Sequence, residues 1–337
     1  MTGAPGLLGS RLVEALCGGI ETNSSKLAAS QVVALVGPGR DPRLVEMLGA
    51  RPVLADLTRP NSLDGALDGA LDGVDIVFHA AGLVHPKLRT ADLFSVNTLG
   101  TQALIDRSVQ AGVKRFVFVS SNSAAGTNVR RSRLMKETDP SKPYMKYGKS
   151  KAQAEEIIND YARRGLIESV ILRPCWYYGP GQSERQTRLF RMIKAGNPIV
   201  FGDGHNYRSM SYIDNVVQGL MLAAVCDNVN GHTFWLADQR PYKIIEIYKT
   251  VAELLGVKPF RPRYVPGLLS TVMRTADGML QSLGFYQTEV HVAGELDQDI
   301  ACSINKAHEK LGYQPSVELK EGMRRSIEWC RRNGINI

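Results

Sequence analysis

Cysteine is scarce in this chain, with five among 337 residues (Cys17, Cys175, Cys226, Cys302 and Cys330) and no C-x-x-C pair. An odd, scattered set excludes a disulfide framework and a thiolate zinc site. It leaves reduced packing thiols, the pattern of a cytoplasmic protein. Long apolar runs are also missing. The most apolar late stretch, 265–285, is interrupted by Arg274 and Asp277 and is too broken to span a bilayer. An amphipathic contact with a surface stays open. No basic leader with an apolar segment and cleavage site is read at the N-terminus. Internal repeats, heptads and low-complexity tracts are absent. Acidic residues are outnumbered 33 to 41, for a formal net charge of +8. No motif or aromatic platform accompanies that excess, which argues against nucleic acid as a partner. The charge suits an anionic cofactor or small-molecule substrate, or simply a basic surface.

The chain is long enough to bury a large core in one large domain or two intimately joined ones. It opens with glycines at 3, 6 and 9, followed by the apolar spacing of a helix. Such a turn, continuing through Leu7 and Leu8, lets a backbone approach pyrophosphate at a helix N-terminus. A phosphate turn of this kind follows a central strand, yet no residues precede Gly3 to build one, so the first strand reads as missing. The natural chain is therefore expected to begin upstream.

Buried-strand patterns follow at 31–36, 52–57, 74–82 and 114–119, alternating with helical stretches such as 94–111, and further helical stretches are read at 242–255, 305–311 and 319–332. This βαβ pace predicts an α/β fold with a parallel sheet. Right-handed crossovers would bring the strand ends to one edge. That edge carries the glycine turn, Asp56, Ala80-Ala81-Gly82 and the serines at 120, 121 and 123. The 31–36 strand ends in Gly37-Pro38-Gly39 rather than a carboxylate, with Arg40 and Arg43 beyond. Since a carboxylate there would bind the adenosine ribose, its absence tilts the expectation from NAD toward NADP; Asp41 stays within reach of the ribose.

Tyr147 and Lys151 stand four residues apart, one turn of a helix. A phenol is a weak acid, and an ammonium held close stabilises the phenolate.

Together, Thr2-Gly3-x-x-Gly6-x-x-Gly9, Asp56-Leu57, His79-Ala80-Ala81, Asn97 to Thr101, Ser120-Ser121, Tyr147-x-x-x-Lys151 and Leu172-Arg173-Pro174 resemble the extended short-chain dehydrogenase/reductase family. Tyr178-Gly179-Pro180-Gly181 and Arg208 through Asn215 also fit, so the resemblance runs through nearly the whole chain. It implies a Rossmann-type doubly wound sheet over 1–173 and a smaller substrate-binding lobe over 174–337, interleaved with late sheet elements. It also implies NAD or NADP as cofactor, touched by the glycine turn, Arg40, Asp56, Leu57, Ala80, Ala81, Lys151 and Pro174. Tyr147 becomes the acid/base, Lys151 its pKa depressor and ribose ligand, and Ser121 the second group on the substrate oxygen. Ser123, Tyr178 and Arg208 become substrate contacts, Arg208 toward a diphosphate or, alternatively, toward Asp214 in an ion pair. Three readings remain: an oxidoreductase at a secondary alcohol or ketone, a nucleotide-sugar epimerase or dehydratase, and a non-catalytic NAD(P)-binding protein. The first is preferred. The family's two-helix homodimer is left open.

Overall fold

Seven chain segments line up side by side to make the central sheet. In a computed structural model, which describes residues 1–21 and 26–337, all six neighbouring pairings are parallel strand pairs or parallel bridges. Arg51–Leu54 pairs with Val33–Val36, and Ile76–His79 with Arg115–Val119. Arg115–Val119 pairs in turn with Glu168–Pro174, and that strand with His232–Leu236. Between Val33–Val36 and Ile76–His79 lies Thr2, bridging Leu35 on one side and His79 on the other.

As expected, no strand precedes the first helix, Leu7–Gly18, but the central position is not wholly empty. Met1 and Thr2 occupy its upper end: Leu35 N–H donates to Met1 O (2.7 Å) and Thr2 N–H to Phe78 O (2.9 Å). The Met1 ammonium is also bonded to Val33 O, and burial pulls its pKa down to about 5.

Alternation along each strand divides the core into two layers. In Arg115–Val119, Phe116 and Phe118 join Leu63, Leu104, Ala154 and Ile158 on one face. Val117 and Val119 join Leu8, Leu12, Val13 and Val217 on the other. Both faces are covered by helices, which is why these strands read as continuous apolar runs.

The helix Met145–Arg163 covers the first face, with Lys151, Ala154, Glu155 and Ile158 buried. The expected 94–111 helix carries a departure. A π-helical turn, Ser95–Leu99, interrupts it between Ala91–Phe94 and Gly100–Gln110. The wider turn re-aims the side chains around it, and such turns gather at functional sites.

The later chain forms paired short strands and helices. Trp176–Tyr178 runs parallel to Met210–Tyr212, and Ile199–Phe201 to Arg263–Val265. Tyr242–Lys243, expected as the start of a helix, pairs antiparallel with Tyr207–Arg208, and the helix starts at Ile244. Gly267–Ser282 and Thr288–Glu295 pack on each other beside the Tyr147 helix.

Candidate active site

The glycine turn has no room for side chains. Gly3 sits at φ +97°, and a Cβ there would lie 2.7 Å from the Ala80 carbonyl carbon. A Cβ on Gly9 would lie 2.4 Å from the Gly3 carbonyl. The helix Leu7–Gly18 starts from Gly6, with no side-chain cap and no acidic residue in its first turn. The N–H groups of Leu7, Leu8 and Gly9 therefore have no intrahelical acceptor. This end fits the pyrophosphate of a dinucleotide.

A directed chain of hydrogen bonds ties the turn to the neighbouring elements. Ala81 N–H donates to Thr2 Oγ1 (3.1 Å), which is in turn hydrogen-bonded to His79 Nδ1 (2.7 Å). His79 Nε2 then donates to Thr101 Oγ1 (2.8 Å), which donates to Asn97 O (2.7 Å). Because Thr101 spends its proton on Asn97 O, Nε2 carries a ring proton, and in the neutral ring Nδ1 is the acceptor for Thr2. Burial, then the Lys151 and N-terminal charges, hold the His79 pKa down at about 3. Asn97 carries the network further: its amide donates to Leu83 O (2.8 Å) and Ser150 Oγ (3.0 Å), and its oxygen accepts from Leu83 N–H (2.8 Å).

Ser121, Tyr147 and Lys151 converge at the strand ends. Ser121 caps the short helix Asn122–Ala125, its Oγ accepting from Ser123 N–H (3.2 Å). Its hydroxyl points to Asn122 Oδ1 (3.5 Å) and lies close enough to Tyr147 to favour the phenolate. Burial pushes the Tyr147 phenol up to about 12, against the Ser121 bond that favours the phenolate, with the Glu295 carboxylate adding to the rise. Lys151 is 3% exposed and donates from Nζ to Val119 O (2.8 Å), over the Phe118 ring. Its burial lowers its pKa to about 8, against the pull of Glu155. In this arrangement Lys151 rests on a backbone carbonyl and does not contribute to the Tyr147 shift. A Cβ on Gly82 would lie 3.3 Å from Nζ and 3.4 Å from Asn97 Oδ1, so the bare glycine keeps that approach open.

A family model described as "NAD dependent epimerase/dehydratase family" matches residues 1–237. The chain belongs to this family. It is 39% identical to the protein y4nL of Sinorhizobium fredii over 99% of this chain and 95% of the relative. It is 27% identical to 3beta-hydroxysteroid-dehydrogenase/decarboxylase isoform 1 of Arabidopsis thaliana, covering 76% of this chain and 62% of that protein. Its fold is that of DesIV, a dTDP-glucose 4,6-dehydratase from Streptomyces venezuelae solved with NAD and TYD, at a TM-score of 0.77 and 24% identity over 98% and 96% of the two chains.

Within this family member, the remaining expected site residues divide. Ala80 and Ala81 lie against the glycine turn, and Pro174 closes the strand beside Ser121. Arg40 is exposed at the end of its strand, while Asp41 is engaged by Arg43 (2.7 Å). Asp56 accepts from Thr58 N–H (2.9 Å) and Thr58 Oγ1 (2.7 Å), as a turn residue does. Leu57 lies against Gly100, where a Cβ would come within 3.0 Å.

Ser123 is buried and its carbonyl accepts from Tyr144 N–H (2.8 Å). Tyr178 is not brought to the site, because it is buried and donates to Asp238 (2.6 Å). Arg208 is fully buried over Trp176 and donates from Nη2 to Glu295 O (3.0 Å). Its Nε and Nη1 have no hydrogen-bond partner among the described residues. The alternative pairing with Asp214 does not form, since Asp214 takes Arg11 (2.5 Å). Cys175 lies 3.6 Å from Cys302, and that contact together with burial raises its thiol pKa far above the usual range, away from nucleophilic use.

Sequence reading missed the roles of His79, Asn97 and Glu295. The first two stood inside quoted motifs, so a signal existed without a role. Glu295 had none, because only the packing of the late helices carries its charge toward Tyr147.

Proposed function

We propose that the chain is an NAD(P)-dependent oxidoreductase acting on a secondary alcohol or ketone, with Tyr147 as the acid/base. The observation that carries this reading is the convergence of Ser121 at its strand end, Tyr147 and the buried Lys151, one helical turn from Tyr147 and seated on the Val119 carbonyl. The nicotinamide, when bound, supplies or accepts the hydride. In reduction, Tyr147 gives its phenol proton to the substrate oxygen, and in oxidation it takes that proton back. Ser121 donates to the same oxygen and holds it in place. The Lys151 ammonium uses one of its three protons on Val119 O, and the others are available to a ribose hydroxyl and to the phenolate as it forms. Its pKa near 8 lets it remain charged at neutral pH while buried. Arg40, exposed and with Asp41 already engaged by Arg43, supports NADP over NAD. The dehydrogenase among the relatives supports the same reaction type.

A second reading, a nucleotide-sugar epimerase or dehydratase with tightly held NAD, draws on the unpartnered Nε and Nη1 of Arg208, which suit a diphosphate, and on the fold shared with DesIV. The first is preferred because Arg208 has no exposed surface, so a diphosphate reaches it only if Glu295 and Gln298 withdraw their carbonyls.

The test is Tyr147→Phe with nicotinamide absorbance followed on panels of sterols, hydroxy-ketones and nucleotide sugars. The variant should keep cofactor binding and lose at least ~100-fold in turnover. Full turnover in the variant sinks the mechanism. Product without net absorbance change in the unmodified chain transfers the assignment to the second reading.

A further inference from the structure

The helix Gly267–Ser282 is amphipathic in the inverted sense. At about 100° per residue, Leu268, Val272, Met279 and Leu283, the residue capping its end, fall within roughly 60° of one another on one face. They are 55% to 72% exposed. The opposite face carries Ser270, Asp277 and Gln281, all buried. A helix on the surface of a water-soluble domain places these classes the other way round.

The inward polar residues are each engaged. Ser270 Oγ bonds Ala293 O (2.7 Å) and Asp297 Oδ1 (2.8 Å). Asp277 bonds His291 Nδ1 (2.7 Å), and Gln281 Oε1 accepts from Lys146 N–H (2.9 Å), next to Tyr147. The helix therefore has one face on the candidate site and one apolar face in water.

The apolar stripe continues past the helix. Tyr286 N–H donates to Leu88 O (3.0 Å) and Thr90 N–H to Gly284 O (3.0 Å), setting Leu88 beside Phe285. These two are 54% and 50% exposed. Exposed cations stand at both ends: Arg261 and Arg263 before the helix, and Lys87 and Arg89 flanking Leu88. Among the described residues none of the four is in an ion pair. An apolar stripe bordered by cations complements an anionic bilayer surface, where apolar side chains enter the acyl boundary and cations meet the headgroups. No helix among the described residues is long and apolar enough to cross a membrane, so the contact is with one leaflet.

We propose that this helix seats the protein on an anionic lipid surface and takes its substrate, a water-insoluble alcohol or ketone, from that phase. The substrate part rests on the oxidoreductase reading; the binding part does not. Co-sedimentation of the full chain, without cofactor or substrate, is measured with phosphatidylserine/phosphatidylcholine vesicles and with phosphatidylcholine alone. Binding to the mixed vesicles is expected, weakened by salt. It should drop at least ~tenfold in the combined Leu268→Ser, Met279→Ser, Leu283→Ser variant, and also in the combined Lys87→Glu, Arg89→Glu, Arg261→Glu, Arg263→Glu variant. Circular dichroism and thermal melting establish that both variants fold.

Absence of binding to the mixed vesicles overturns the proposal, as does equal binding to both vesicle types. A dimer in sedimentation velocity that the serine variant converts to monomer, with no vesicle binding, assigns the stripe to a second copy and also overturns it. Vesicle binding with no redox turnover on any panel leaves the surface standing and removes only the oxidoreductase reading.

Discussion

Acid should destabilise this protein through one imidazole. His79 is fully buried beside the Lys151 and N-terminal charges, which hold it as the neutral ring, and its pKa in the folded chain is about 3 against an ordinary value of 6.5. Between those values the unfolded chain binds the proton and the folded chain does not. The stabilisation is therefore fully present above pH 6.5 and is lost as pH falls toward 3. At pH 4 the unfolded ring is 2.5 pH units below its pKa, and at ~1.4 kcal/mol per unit the loss is about 3 kcal/mol. That is a large part of a typical domain stability.

Carboxylates titrate over the same range, so the informative quantity is a difference. Denaturant unfolding of the natural chain and of His79→Gln, followed by tryptophan fluorescence at several pH values from 7 to 4, isolates the imidazole. At pH 7 the variant should be the less stable, because glutamine cannot reproduce both bonds. The gap should shrink by about 3 kcal/mol by pH 4 as the natural chain alone loses the histidine contribution. A gap that stays constant across this range refutes the reasoning, and would mean that the folded protein accommodates the charged ring.

Two further outcomes test the support of the site. Glu155 and Arg173 form a buried bidentate pair under the Tyr147 helix; Arg173→Met alone should cost about 3–5 kcal/mol in urea unfolding by stranding the carboxylate, and adding Glu155→Leu should recover much of it. Gly148→Ala would put a Cβ 2.2 Å from Ser123 O. Moving that helix off the loop should lower turnover through the Tyr147–Ser121 spacing while costing only ~1–3 kcal/mol in stability, and unchanged turnover would show that the spacing tolerates the shift.

Much of the fold was legible because its signals are local. The strand Arg115–Val119 announced itself as an apolar run between helical stretches, and the helices Asn305–Leu311 and Leu319–Arg332 have the limits their spacing predicted. The π turn at Ser95–Leu99 was not legible, since the same apolar period serves an unbroken helix. Tyr242–Lys243 read as helix because its pairing partner, Tyr207–Arg208, lies elsewhere in the sequence. The central position read as empty for a related reason: two residues carry no periodicity, and only Leu35 and His79 on either side make Thr2 part of the sheet.

By itself the sequence singled out the groups proposed for the chemistry: a glycine turn, a serine at a strand end, and a tyrosine and lysine one helical turn apart. These follow from steric room and helical period, which neighbouring residues set. Tertiary structure decided what each group touches. Lys151 rests on Val119, Arg208 on Trp176 and the Glu295 carbonyl, and Asp214 on Arg11. The partners of a charge depend on which distant segments pack around it and exclude water, and no local pattern contains that. The same holds for the helix Gly267–Ser282. Its spacing showed two faces, and packing alone decided that the polar one would turn inward.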